Sequence, residues 1–199
     1  MTSAAAARLR VTHPRPRVDP RAAQRAAADL LTALGMDLDD PVVADTPRRM
    51  ADAFLEMTTA PDLELTTFPN EGAHGELVVV EDIPVRSLCE HHMLPFTGVA
   101  HIGYLPGDRL LGLSKFARLV ELHASRPQTQ ERLTRRIADT LEEELTPYGV
   151  GVVVEAEHAC LSLRGARAAG VRTHTTALSG RLRDDPQMRS EFLATARRR

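Results

Sequence analysis

The chain has 199 residues, 43% of them hydrophobic and 26% charged, with a formal net charge of −2. That balance excludes a disordered chain, gives no electrostatic ground for nucleic acid or an anionic membrane surface as partner, and suits one domain with a real core. No apolar run approaches the ~20 residues of a membrane helix, and none follows Arg8 and Arg10, so a cytoplasmic location is expected. In that reducing compartment the only two cysteines are expected as thiols, and metal binding is their leading use.

Residues 1–20, rich in Ala, Arg and Pro without a sustained period, read as a mobile tail. A helix is expected from Pro20, on the spacing of Ala23, Ala27, Leu30, Leu31 and Leu34, ending at Gly35. A second opens at Asp45-Thr46-Pro47 and presents Met50, Phe54 and Met57. Residues 60–75 read as irregular, which makes 21–75 an N-terminal helical segment and 76–199 the main domain. Strands are expected over Leu77–Val85 and Val99–Leu105. A helix follows from Ser114, with Phe116, Leu119, Val120 and Leu122. A second, from near Pro127, carries Leu133, Ile137, Leu141 and Leu145. The alternation of Val150, Val152 and Val154 marks another strand. One or two more are expected over about 159–166 and 171–182, then a short helix from Asp185 to about Ala196. The fold class is α+β, and so small a sheet leaves edges that an oligomer would cover.

Cys89 and His92 stand three apart, and Cys160 lies about 70 residues on, two beyond His158. Zinc takes thiolate and imidazole, and three protein ligands with one open place is its catalytic arrangement. His91 and His158 remain as imidazoles suited to proton transfer near neutrality. Either could instead be a fourth ligand that closes a structural site. Ser114, Lys115 and Arg118 open a helix whose N–H groups favour anions, and Arg164 follows Cys160. Charged helix residues ordinarily form a solvated face, and so would Gln130 and Glu131. A carboxylate can, however, accept hydrogen bonds from the N–H edge of a guanine.

The blocks CEHHMLPF (Cys89 to Phe96), HIGYLP from His101, GLSKFARLVE from Gly112, RPQTQERLT from Arg126 and GVGVVVEAEHACLSLRG from Gly149 resemble the GTP cyclohydrolase I family, in order and spacing, from about Asp45 onward. The resemblance implies a tunnelling fold: an antiparallel sheet with two helices on one face, preceded by N-terminal helices and assembled into rings. The family's usual assembly is a homo-oligomeric decamer of two stacked pentamers, with active sites at subunit junctions. It also implies conversion of GTP to 7,8-dihydroneopterin triphosphate and formate, with Zn2+ on Cys89, His92 and Cys160 activating a water for attack at C8. His158 would protonate the ring nitrogen, His91 would act in ribose opening and Ser114 in the later rearrangement. Glu131 with Gln130 would recognise guanine, and Lys115, Arg118, Arg164 and Arg49 would bind the triphosphate. Departures from the family pattern are Ala166, Ala168-Ala169-Gly170, Thr175-Thr176 and Asp52; none touches the zinc ligands. Two rivals are a nitrile reductase of the same fold with a nucleophilic cysteine, and a zinc-stabilised nucleotide-binding paralogue without catalysis. The first leaves the paired histidines and the second cysteine without a role.

Overall fold

The computed structural model describes residues 7–11 and 18–196. Most of the expected tail and the last three arginines lie outside the described residues. Within that tail residues 7–11 form a strand, β1 (Ala7–Val11). It pairs antiparallel with residues 63–67, a partner that no local period reveals.

The chain divides into two compact units, and residues 13–59 form the smaller. Its helix α1 (Pro20–Ala33) is capped by Asp19, whose Oδ1 accepts from the Ala22 N–H at 3.0 Å. Gly35, at φ +87°, turns the chain out of it. Helix α2 (Thr46–Thr58) follows with Pro47 in its first turn. Its buried residues are Pro47 and Ala51, whereas Met57 is 39% exposed. Of the expected Met50–Phe54–Met57 face, Met50 and Phe54 are half-buried and Met57 is not, so the buried face is shifted by part of a turn toward Pro47 and Ala51.

In the larger unit the elements are β2 (Leu63–Pro69), β3 (Val78–Cys89), β4 (Pro95–Leu105), β5 (Arg109–Leu111), α3 (Leu113–Ala124), β6 (Pro127–Gln128), α4 (Gln130–Leu145), β7 (Gly149–His158), α5 (Ala159–Ser162), β8 (Arg172–Leu178), α6 (Gly180–Asp184) and α7 (Pro186–Thr195). Strands β1-β2-β5 make one sheet and β6-β3-β4-β7-β8 the other. In the larger sheet every neighbouring pair is antiparallel except the short β3–β6 contact.

Four expectations change. Residues 63–69, expected irregular, alternate Leu63, Leu65 and Thr67 inward as β2; the flanking Pro61, Pro69 and Gly72 hide that period. The helix expected from Pro127 begins at Gln130, where the Thr129 hydroxyl accepts from the Arg132 N–H. The strand expected over 159–166 is a single helical turn, α5, and Leu163 beyond it is 75% exposed. The last strand stops at Leu178, because Gly180, at φ +50°, starts a short helix.

The core lies between one face of the five-stranded sheet and α3 with α4. Phe96, Ile102, Tyr104, Val152 and Val154 pack there with Phe116, Leu119, Leu133, Ile137 and Leu141, all nearly or wholly buried. Each such side chain contributes about 1.5–3 kcal/mol by burial. A second cluster on the other face joins Leu105 and Val153 to Leu182, Phe192 and Ala196. Its seat is a pair of glycines facing one another across β4 and β7, Gly103 and Gly151. A Cβ at either would come within 2.6 or 2.5 Å of the Phe192 ring. Phe192→Ala is expected to cost about 3–5 kcal/mol, the range for a buried aromatic, read as a lower urea midpoint. An unchanged midpoint would show that this cluster does not hold the last helices.

Candidate metal centre and active site

The β3–β4 hairpin carries the first half of the site. Cys89 ends β3, and the chain reverses over residues 90–94 with Met93 in the left-handed region at φ +54°. The reversal is held by the Cys89 N–H donating to the Leu94 carbonyl and the Met93 N–H donating to the Cys89 carbonyl, each at 2.8 Å. It folds the imidazole of His92 back over the thiol, with Nδ1 3.8 Å from Cys89 Sγ. The second half comes from the end of β7, where α5 turns Cys160 inward.

The donor atoms of Cys89, His92 and Cys160 all lie within 4.8 Å of one another, and among the described residues no other His, Cys, Asp or Glu is grouped with them. A tetrahedral ion 2.3 Å from sulfur and 2.0–2.1 Å from nitrogen would hold two such ligand atoms about 3.6 Å apart. The observed spacing fits. Both thiols are free. Burial and the neighbouring Cys89 sulfur push the Cys160 thiol up, while Arg164 pulls weakly the other way. A thiol held protonated by burial and a neighbouring sulfur is donor chemistry that a divalent cation relieves, since a coordinating thiol is deprotonated outright. The group can therefore bind a metal ion, and it is one ligand short of a closed four-ligand site.

Of the spare imidazoles, His91 is exposed, its ring centroid 6.4 Å from that of His92. His158, last residue of β7, stacks on Phe96 at 4.7 Å and 12°. Its Nε2 meets Gln130 Oε1 at 2.8 Å. Burial holds this imidazole below its usual range, and the Glu131 carboxylate works against that shift. Glu131 itself is exposed. It lines a cleft of about 470 Å³ with Thr134, Arg135, Thr175 and Thr176.

Gln130 departs from expectation. Expected beside Glu131 at the guanine edge, it is 1% exposed, and its amide N–H2 donates to the carbonyls of Val154 and Thr173, both at 2.9 Å. Its polar atoms are spent inside the protein.

Arg164 lies near the Cys89–His92–Cys160 group, whereas Ser114 and Lys115 lie toward the N-terminal end of α3. The C-terminal end of α3 lies at the metal end of the sheet, where Ser87 Oγ donates to the Ala124 carbonyl at 2.7 Å and β6 pairs with Cys89. The other end lies by β2, where the Gly112 N–H donates to the Thr66 carbonyl. Ser114 is ten residues before Ala124 on this helix, about 15 Å at 1.5 Å per residue. Ser114 and Lys115 thus stand a helix length away, with Arg118 between. Arg164 is close enough to Cys160 to act on its thiol. Arg49 belongs to the smaller unit, where it lies 3.8 Å from Asp45.

Two contributors went unread in the sequence. Phe96 supplies the face on which His158 stacks. Glu90 ties the hairpin turn to α4 through Arg132, at 2.7 Å. The CEHHMLPF block contains both, but a Phe after a proline and a lone Glu look like core and surface.

The sequence model of a family described as GTP cyclohydrolase I matches residues 23–197. The chain is 51% identical over 187 residues to a GTP cyclohydrolase 1 of Mycobacterium leprae (strain Br4923), covering 90% of this chain and 91% of that one. It is 50% identical over 182 residues to the GTP cyclohydrolase 1 of Mycobacteroides abscessus, covering 88% of each. A slighter likeness, TM-score 0.42 at 21% identity over 52% of this chain and 93% of the other, is to a crystal structure of an archaeosine synthase QueF-like protein in the apo form.

Cys160→Ala is expected to reduce retained metal from about one ion per chain to a small fraction, because two protein ligands no longer define a site. His158→Ala is expected to keep its metal. Elemental analysis after dialysis decides both, and metal loss in the histidine variant would make His158 a ligand.

Proposed function

Because the chain belongs to the GTP cyclohydrolase I family, we propose that it hydrolyses and rearranges GTP to 7,8-dihydroneopterin triphosphate and formate. The observation that carries this reading is the meeting of Cys89, His92 and Cys160 beside a partly buried, hydrogen-bonded His158. The donor set suits Zn2+, which when bound supplies Lewis acidity and lowers the pKa of a water to about 7. His158 gives a proton to the imidazole nitrogen of guanine as the C8–N bond breaks. Glu131 accepts from the N1–H and the 2-amino group, and the cleft it lines has room for a base. His91, free on the surface of the hairpin, moves a proton during ribose opening, and Ser114 assists the rearrangement of the sugar carbons. Lys115, Arg118 and Arg164 neutralise the triphosphate.

This reading requires more than one copy of the chain. Ser114 and Lys115 open α3, whose other end meets β3 beside Cys89, so these two, unlike Arg164, are read as supplied to each site by a neighbouring copy. A five-stranded sheet with α3 and α4 on one face is read as the subunit of a tunnelling-fold ring. The edge of β8, and that of β3 before its short pairing with β6, are then where copies join.

Metal-replete protein incubated with GTP is expected to release formate stoichiometrically with a pterin chromophore; no formate would sink the enzymatic reading. Glu131→Gln is expected to lower kcat/KM about 10- to 100-fold, the value of one good bidentate contact. For the shared site, His158→Ala and Lys115→Ala chains, each inactive, are dissociated, mixed and reassembled. Activity above that of either alone is expected, and its absence would place each site within one chain.

A further inference from the structure

We propose that Gln130 is a positioning residue that fixes His158 as its Nε2–H tautomer, so that protons enter and leave the imidazole through Nδ1. The inference rests on the reaction proposed above for its purpose, but on hydrogen bonding alone for the tautomer.

Which end of a glutamine amide is oxygen is decided by its partners. Here the partners leave no choice. One end meets the main-chain carbonyls of Val154 and Thr173, both at 2.9 Å, which can only accept. That end is the N–H2. The nearby hydroxyls agree. Thr134 Oγ1 lies 2.8 Å from the Gln130 carbonyl, to which it donates, so it accepts from Thr175 Oγ1 at 2.6 Å. Thr175 Oγ1 then offers only a lone pair to the Gln130 N–H2, 3.1 Å away. The other end of the amide, Oε1, faces His158 Nε2 at 2.8 Å and has no proton to give. In the neutral imidazole the proton therefore sits on Nε2, and Nδ1 carries the free lone pair.

The ring is also held from its face by Phe96, so neither tautomer nor orientation is left to solvent. Gln130 is 1% exposed, which makes it unsuited to reading a base and suited to this task. A buried amide with every group satisfied holds one arrangement, because any rotation strands a polar atom in a low dielectric.

Two measurements test the proposal. Imidazole 15N shifts of histidine-labelled, metal-replete protein, with His158 assigned by loss of its signals in His158→Ala, are expected to show Nε2–H for the neutral ring. The opposite tautomer overturns the proposal without any change to Gln130, and this readout does not depend on turnover. Gln130→Met, which keeps volume but removes the acceptor, is expected to lower kcat about 100-fold, within the span of general acid–base catalysis. KM and retained metal should stay within a few-fold of wild type. A rise in KM with kcat preserved would instead make Gln130 a guanine contact and overturn the proposal. Should this variant fail to fold, the wild-type 15N spectrum still decides. An absence of formate from wild type would count against the enzymatic reading and leave the tautomer result standing.

Discussion

The antiparallel ladder between β4 and β7 is the constraint on which the site depends. It runs from Phe96 opposite His158 to Leu105 opposite Gly149 without a break. The two cysteines are far apart in sequence, and this register alone brings the turn before β4 and the turn after β7 to the same end of the sheet. A slip of one residue would send His158 and Phe96 to opposite faces and carry Cys160 away from the hairpin. Gly98 protects the register: a Cβ there would lie 1.9 Å from the Glu155 carbonyl oxygen. Only hydrogen at that position lets β4 and β7 pair this tightly beside the site.

Helix α4 adds the polar half of the arrangement. Its first turn brings Gln130 inward and Glu131 outward, one residue apart, so a single helix start serves both the interior of the protein and the cleft. The buried amide joins α4 to β7 and β8, and the exposed carboxylate opposes the effect of burial on His158. Interior and surface roles are thus divided between neighbours by the helical turn itself, since successive residues point about 100° apart.

Much of this could be read in the sequence, and the limits have physical causes. The Cys89–His92–Cys160 group was legible as one that could bind a metal ion, because thiol and imidazole at short spacing have few other uses in a chain with two cysteines. Strands β3, β4 and β7 and helices α3 and α4 were visible because their apolar periods are long. Strand β2 was missed because prolines flank a clean alternation, and β1 because its structure comes from a distant partner. The burial of Gln130 was not legible, because an amide at a helix start looks like surface until the carbonyls it meets are known. The separation of Lys115 from the metal was hidden for another reason: closeness along a chain becomes distance once the intervening residues form a helix.

The glycine seat for Phe192 has a consequence for how the protein is made. Gly103 and Gly151 leave a gap in one face of the sheet, and the ring that fills it is synthesised well after both strands. During vectorial synthesis the helical face can close as soon as β7 emerges, while the opposite face stays uncovered until α7 follows. Residue order thus completes the β4–β7 register, and the Cys89–His92–Cys160 group beside it, before the side chain that fills the glycine seat has been made.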